Sequence, residues 1–137
     1  LLPVAPHGYD AVISQLALHW ADDPQTMLQQ YHFALRPDGV FVGCLLGGES
    51  LHELRAALAG AEHAVYGGVS PRVSPMLSVH DVAGLLQQTG FALPVVDVET
   101  LTVTYATLDA LLADLRGLGQ TNVLRQRRAQ PVGAQLD

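Results

Sequence analysis

The stretch that decides the fold runs from Tyr9 to Leu46. It begins Tyr9-Asp10-Ala11-Val12-Ile13-Ser14-Gln15-Leu16-Ala17-Leu18-His19-Trp20 and continues through an amphipathic segment to Arg36-Pro37-Asp38-Gly39. It ends Val40-Phe41-Val42-Gly43-Cys44-Leu45-Leu46. Ala11 to Ser14 is a short apolar run with β-branched residues, too continuous for a half-exposed strand; such runs suit a parallel strand covered on both faces. From Pro24 to Leu35 the spacing is helical, with Met27, Leu28, Tyr31 and Leu35 on one stripe. Arg36-Pro37-Asp38-Gly39 has the residue order of a tight turn, and Val40 to Leu46 is a second apolar run. Strand, helix and strand in this order make a βαβ unit, whose crossover is almost always right-handed. Ligands of open parallel sheets bind beyond the carboxyl ends of the strands. That places Gln15 to Trp20 and Gly47 to Ser50 at the candidate site.

Outward from this unit, the chain continues as helices and one more strand-like run. Asp23 is placed to cap the first helix and Pro24 suits its first turn. Gly47-Gly48 allows a tight turn, and Ser50-Leu51-His52-Glu53 has the pattern of a capping box opening a helix to about Val65. Ser70-Pro71-Arg72-Val73-Ser74-Pro75 excludes helix, because each proline disfavours the helical conformation of the residue before it. Ser78 with Asp81 three residues on starts another helix, which Gly90 stops. Phe91 to Tyr105 is rich in Val, Leu and Thr, and Leu101, Val103 and Tyr105 alternate with threonines, predicting a strand near a sheet edge. Thr107 caps a last helix to about Leu118. The expected content is three strands and four helices, with a disordered tail over residues 125–137.

Composition narrows the function. The 137 residues are 49% hydrophobic, enough for one buried core, and carry a net charge of -6. That balance gives no support to nucleic-acid binding or to an anionic membrane surface. No apolar run is long enough to span a membrane, and no signal peptide is visible. The single cysteine, Cys44, excludes a disulfide within the monomer. The histidines and carboxylates have no metal-ligand spacing, and no nucleophile elbow or serine triad spacing is present.

The residues resemble a known family. Tyr9 to Ser14, Leu16-Ala17-Leu18-His19-Trp20 and Ala34-Leu35-Arg36-Pro37-Asp38-Gly39 are similar to the fourth strand through the fifth strand of class I S-adenosylmethionine-dependent methyltransferases. Four further stretches resemble one branch: Gly47 to Arg55, Gly67-Gly68-Val69-Ser70-Pro71-Arg72-Val73-Ser74-Pro75, Leu85 to Phe91, and Asp114 to Asn122. This branch contains a mitochondrial complex I assembly factor and is related to the malonyl-carrier-protein methyltransferases. The resemblance covers residues 1–128, and the Ser-Pro stretch is its most specific part. It implies an α/β fold: a partial Rossmann-like class I methyltransferase fold with strands four to six and their helices, the N-terminal half and the last strand missing. Residues 1–124 are then the C-terminal part of a methyltransferase-like domain. The glycine-rich loop after strand one and the ribose-binding acid after strand two are absent, so a chain inactive by itself is expected.

The resemblance implies S-adenosylmethionine as cofactor and a carboxylate or protein as substrate. It places Gln15, Leu16 and Ala17 beside the cofactor, and His19, Trp20, Gly47 and Arg72 around the substrate. Each has a plainer alternative: His19 as a surface turn residue, Trp20 as packing against the following helix, Gly47 as part of a turn, and Arg72 as a solvated loop arginine rather than a bidentate anion ligand. Three functions remain open at this stage. They are methyl transfer, arginine hydroxylation in respiratory complex I assembly, and a non-enzymatic remnant that binds a partner. The expected location is cytoplasmic for a bacterial protein and the mitochondrial matrix side for a eukaryotic one.

Overall fold

The computed structural model describes residues 2–69 and 76–119. The Ser-Pro loop with Arg72, and the tail over residues 125–137, lie outside the described residues. The elements in chain order are β1 (Tyr9–Gln15), a 3₁₀ turn (Leu18–Trp20), α1 (Pro24–Ala34), β2 (Leu35–Cys44), α2 (His52–Tyr66), α3 (Val79–Thr89) and α4 (Leu108–Gly117). The chain divides into two compact units: Leu1–Ser50 with Met76–Val98, and Leu51–Pro75 with Glu99–Asp137.

The first unit holds the βαβ element. β1 and β2 pair in parallel, with Val12 opposite Phe41, Ile13 opposite Val42 and Ser14 opposite Gly43. Alternation along a strand sends neighbouring side chains to opposite faces. Val12 and Phe41 therefore turn to one face, where α1 and α3 supply Leu28, Tyr31 and Leu86; with Leu18 these form the buried cluster. Leu28 is fully buried at 0% exposure. Tyr31, Phe41 and Phe91 stack in a column, with centroids 5.6 and 5.4 Å apart, within the range of favourable aromatic pairs.

β2 begins directly at the end of α1. Tyr9 pairs with Leu35 and Ala11 with Val40, so β2 carries three more residues than β1 between those pairs. Arg36-Pro37-Asp38-Gly39 is thus a bulge inside the strand, not a turn before it. Asp38 takes the left-handed conformation (φ 63°), which Asp tolerates better than most residues. Gly39 is needed for close approach: a Cβ there would stand 2.9 Å from the Arg36 carbonyl oxygen and 3.2 Å from that of Asp10.

Local capping agrees with the residue pattern at α1, α3 and α4. The Thr26 amide donates to Asp23 Oδ1 (3.1 Å), the Asp81 amide to Ser78 Oγ (3.2 Å) and the Ala110 amide to Thr107 Oγ1 (3.2 Å). Gly90 closes α3 at φ 95°. The expected capping box at Ser50 does not form. Ser50 instead closes a turn through its amide to the Gly47 carbonyl (2.9 Å). Leu51 holds the cap position in the left-handed region (φ 56°) with no side-chain cap bond, so the serine stands one residue too early to cap α2.

Two further expectations fail. Phe91 to Tyr105 forms no strand among the described residues. A strand exists only through a neighbour's ladder of hydrogen bonds, and Pro94 removes one donor from this stretch. Phe91 and Val96 pack against the core, while Leu93, Val95 and Leu101 are 93%, 89% and 79% exposed. Among the described residues of this unit, the parallel pair is also covered on one face rather than two. Ala11, Ile13, Val40 and Val42 share the other face and are exposed, Ile13 at 76%.

In the second unit, α2 contains the fully buried Glu62. The Tyr105 hydroxyl donates to Asp114 Oδ2 of α4 at 2.5 Å. This bond raises the tyrosine pKa, because the phenol donates to a carboxylate and is held protonated.

Leu28→Ala should cost about 2–5 kcal/mol, as for other fully buried leucines, whereas Leu93→Ala should stay within about 0.5 kcal/mol. Urea unfolding of both variants measures the difference, and equal shifts would refute the core assignment.

Candidate functional site

The site is built at the carboxyl end of β1. Leu16 leaves the strand in the left-handed region (φ 48°) while its amide still donates to the Cys44 carbonyl at 2.8 Å. The chain then closes a 3₁₀ turn, with the Trp20 amide donating to the Ala17 carbonyl (3.0 Å) and the Ala21 amide to the Leu18 carbonyl (3.1 Å). Leu18 anchors this turn in the core at 3% exposure. Its two neighbours, His19 and Trp20, are half-buried, and their rings lie 5.3 Å apart.

A cleft of about 410 Å³ opens beside this turn, walled by Ala17, Trp20, Met27 and Tyr31, with Asp22 and Asp23 at its rim. Among the described residues no arginine or histidine lines it. Asp23 does two jobs. Its Oδ1 accepts from the Thr26 amide and its Oδ2 from the Thr26 hydroxyl at 2.5 Å. These bonds, the hydroxyl first, hold its carboxyl pKa below the ordinary 3.8. Asp23 is therefore anionic at neutral pH, and its charge offsets the positive end of the α1 dipole. Asp22 is exposed beside it.

The residues singled out in the sequence separate in space. Ala17 and Trp20 meet in the cleft. Gln15 is exposed at the strand end, opposite Cys44. Leu16 is also exposed, at 41%. His19 sits on the same turn as Trp20 but does not line the cleft. Gly47 follows β2 and accepts from the Ser50 amide in a turn. Arg72 is outside the described residues. Sequence reasoning missed Asp22 as a cleft residue and took Met27 and Tyr31 only as core. The available signal was Trp20 followed at once by two carboxylates, ahead of a helix whose apolar stripe starts at Met27. Ser14 was also missed: it is 6% exposed, and its Oγ has no hydrogen-bond partner among the described residues. Buried hydroxyls are nearly always paired, so this one marks an unsatisfied position next to Gln15. Among the described residues no group of His, Cys, Asp and Glu is placed to hold a metal ion, and no helix is long and apolar enough to cross a membrane.

Comparison with known proteins falls on the family that the residues resemble. Residues 1–43 match the model of a methyltransferase domain. The mouse protein named arginine-hydroxylase NDUFAF5, mitochondrial, is 42% identical over 128 residues, which is 93% of this chain and 37% of that protein. Its human counterpart is 41% identical over 128 residues, with the same coverage. A malonyl-[acyl-carrier protein] O-methyltransferase of Laribacter hongkongensis is 37% identical over 134 residues, 98% of this chain and 43% of that one. The chain thus spans well under half the length of these relatives. Its helices and parallel strand pair make a partial class I methyltransferase fold, and both branches identified from the residues are present among its homologues.

The Asp23 cap gives a pH prediction. Its folded pKa lies below the unfolded 3.8, so its contribution to α1 is complete above that pH and is lost as pH falls through the folded value. Acid titration followed by Trp20 fluorescence should show a transition below pH 3.8. Asp23→Asn, which still caps but does not titrate, should remove it; an unchanged transition would refute the role of Asp23.

Proposed function

We propose that this chain is the substrate-side part of a class I S-adenosylmethionine-dependent methyltransferase. The observation that carries this reading is the position of the cleft. Its lining residues fall between Ala17 and Tyr31, inside the stretch that matches a methyltransferase domain, and it opens where a parallel strand ends.

The residues at this end fit one edge of a cofactor site. Gln15 offers an exposed amide that both donates and accepts. The buried Ser14 hydroxyl beside it lacks a partner among the described residues. Among the described residues no cation lines the cleft to repel a sulfonium. S-adenosylmethionine, when bound, supplies an electrophilic methyl group that needs little acid–base help. The chain's own task is then alignment and exclusion of water. Gln15, Leu16 and Ala17 position the cofactor edge. Trp20 and Met27 form apolar walls that hold the acceptor, a carboxylate or a protein side chain, in line.

A second reading is hydroxylation of a protein arginine, as named for the mouse and human relatives. The higher identity to those proteins favours it over the malonyl branch. Mass spectrometry of the modified target separates the two readings, because one adds a methyl group and the other an oxygen atom.

In protein expressed from the complete reading frame, titration calorimetry should show S-adenosylmethionine binding; absence of binding overturns the methyltransferase reading. Trp20→Ala should lower kcat/KM roughly tenfold through lost alignment while leaving cofactor affinity nearly unchanged. Equal losses in both would move Trp20 to the cofactor side.

A further inference from the structure

We propose that the outer face of α3 is a self-association surface, on which a second copy of this chain lays its own α3 antiparallel, crossing at Gly84.

The starting observation is a glycine without a local reason. Gly84 stands in the middle of α3 with an ordinary helical backbone, a place where glycine is a poor helix former. A Cβ there would meet nothing within 4 Å, so no described neighbour requires its absence. What glycine offers instead is close approach for another backbone. An open groove of about 340 Å³ lies at this point, lined by Leu77, His80, Asp81, Leu85 and Gln88. His80, Gly84 and Gln88 recur every four residues along one ridge of the helix. The side chains of His80, Gln87 and Gln88 are exposed and form no hydrogen bond among the described residues.

Charge selects the direction of the occupant. Asp81 is the one carboxylate of α3, which carries no lysine or arginine. A second α3 running parallel would set Asp81 against Asp81. Running antiparallel about Gly84, it sets Asp81 against Gln87 of the second copy and His80 against Gln88 of the second copy. The Asp81 Oδ2 already accepts from the Ser78 amide (2.9 Å) and hydroxyl (2.6 Å). Its Oδ1 is left to accept from the glutamine amide, and either tautomer of His80 can pair with Gln88. The two Asp81 carboxylates then stand about 9 Å apart along the axis, at 1.5 Å per residue, close to the screening length of physiological salt. Two chains of net charge -6 thus meet on a face where their charges are not opposed. A two-fold contact of this kind closes at two copies. One helix face per copy is a small interface, so the dimer is weak and reversible.

Sedimentation of protein expressed from the complete reading frame should show a monomer–dimer equilibrium with Kd of roughly 10–100 µM and no larger species. Gly84→Leu fills the groove where a Cβ meets none of the chain's own atoms. It should keep the melting temperature and weaken the dimer at least about tenfold. Gln87→Glu places a carboxylate opposite Asp81 and should weaken the dimer, while Gln87→Lys should tighten it, each by about two- to fivefold and less at high salt. A monomer at every concentration, or a dimer that Gly84→Leu leaves unchanged, overturns the proposal. So does an effect of the same sign from both Gln87 substitutions, which is what a loss of folding would produce. A strictly monomeric chain that binds some other protein on this face counts against it as well.

Discussion

The packing of α1 across one face of the parallel strand pair is the constraint on which the rest depends. Leu28 and Tyr31 fill the space between the sheet and α3, and the ring column through Phe41 and Phe91 ties β2 and the end of α3 to the same layer. Burying such side chains is worth roughly 1.5–3 kcal/mol each, far more than the exposed ion pair between Arg36 of β2 and Asp10 of β1. The helix is also held tightly in register. It starts at the Asp23 cap and runs into β2 without a linker, Ala34 being its last residue and Leu35 the first of the strand.

That tight connection explains the bulge. With no loop to absorb a mismatch, the three extra residues of β2 must be taken up inside the strand. A left-handed Asp38 and a glycine at the point of closest approach do this. The same packing sets the site. Leu18, drawn into the core, pins the turn after β1, which brings Trp20 and Asp22 around to Met27 and Tyr31 on the helix. The cleft is a consequence of the core, and its acidic rim is a consequence of how α1 is capped.

The opposite face of the sheet carries none of this. Ala11, Ile13, Val40 and Val42 stand side by side and exposed, although parallel sheets are ordinarily covered on both faces. The composition of β1 was therefore a sound guide to its environment in a doubly wound fold, but within the first unit the described residues cover only one face. The same limit applies to Phe91 to Tyr105. Its residues have the alternation of a strand, yet the stretch meets no ladder among the described residues, and Leu93, Val95 and Leu101 stay in solvent.

Features that depend only on neighbours along the chain were legible in the residues. The order strand, helix, strand follows from apolar periodicity. The caps at Asp23, Ser78 and Thr107 and the stop at Gly90 follow from side chains that reach only three or four residues. Tertiary structure decided the rest. Ser50 was displaced from its cap by the turn from Gly47, the Arg-Pro-Asp-Gly turn became a bulge because the β1 register demanded one, and Met27 and Tyr31 acquired a second role as cleft walls. Strand ladders and clefts are made by groups far apart in sequence, and their identity is set only when packing brings those groups to within a few ångströms.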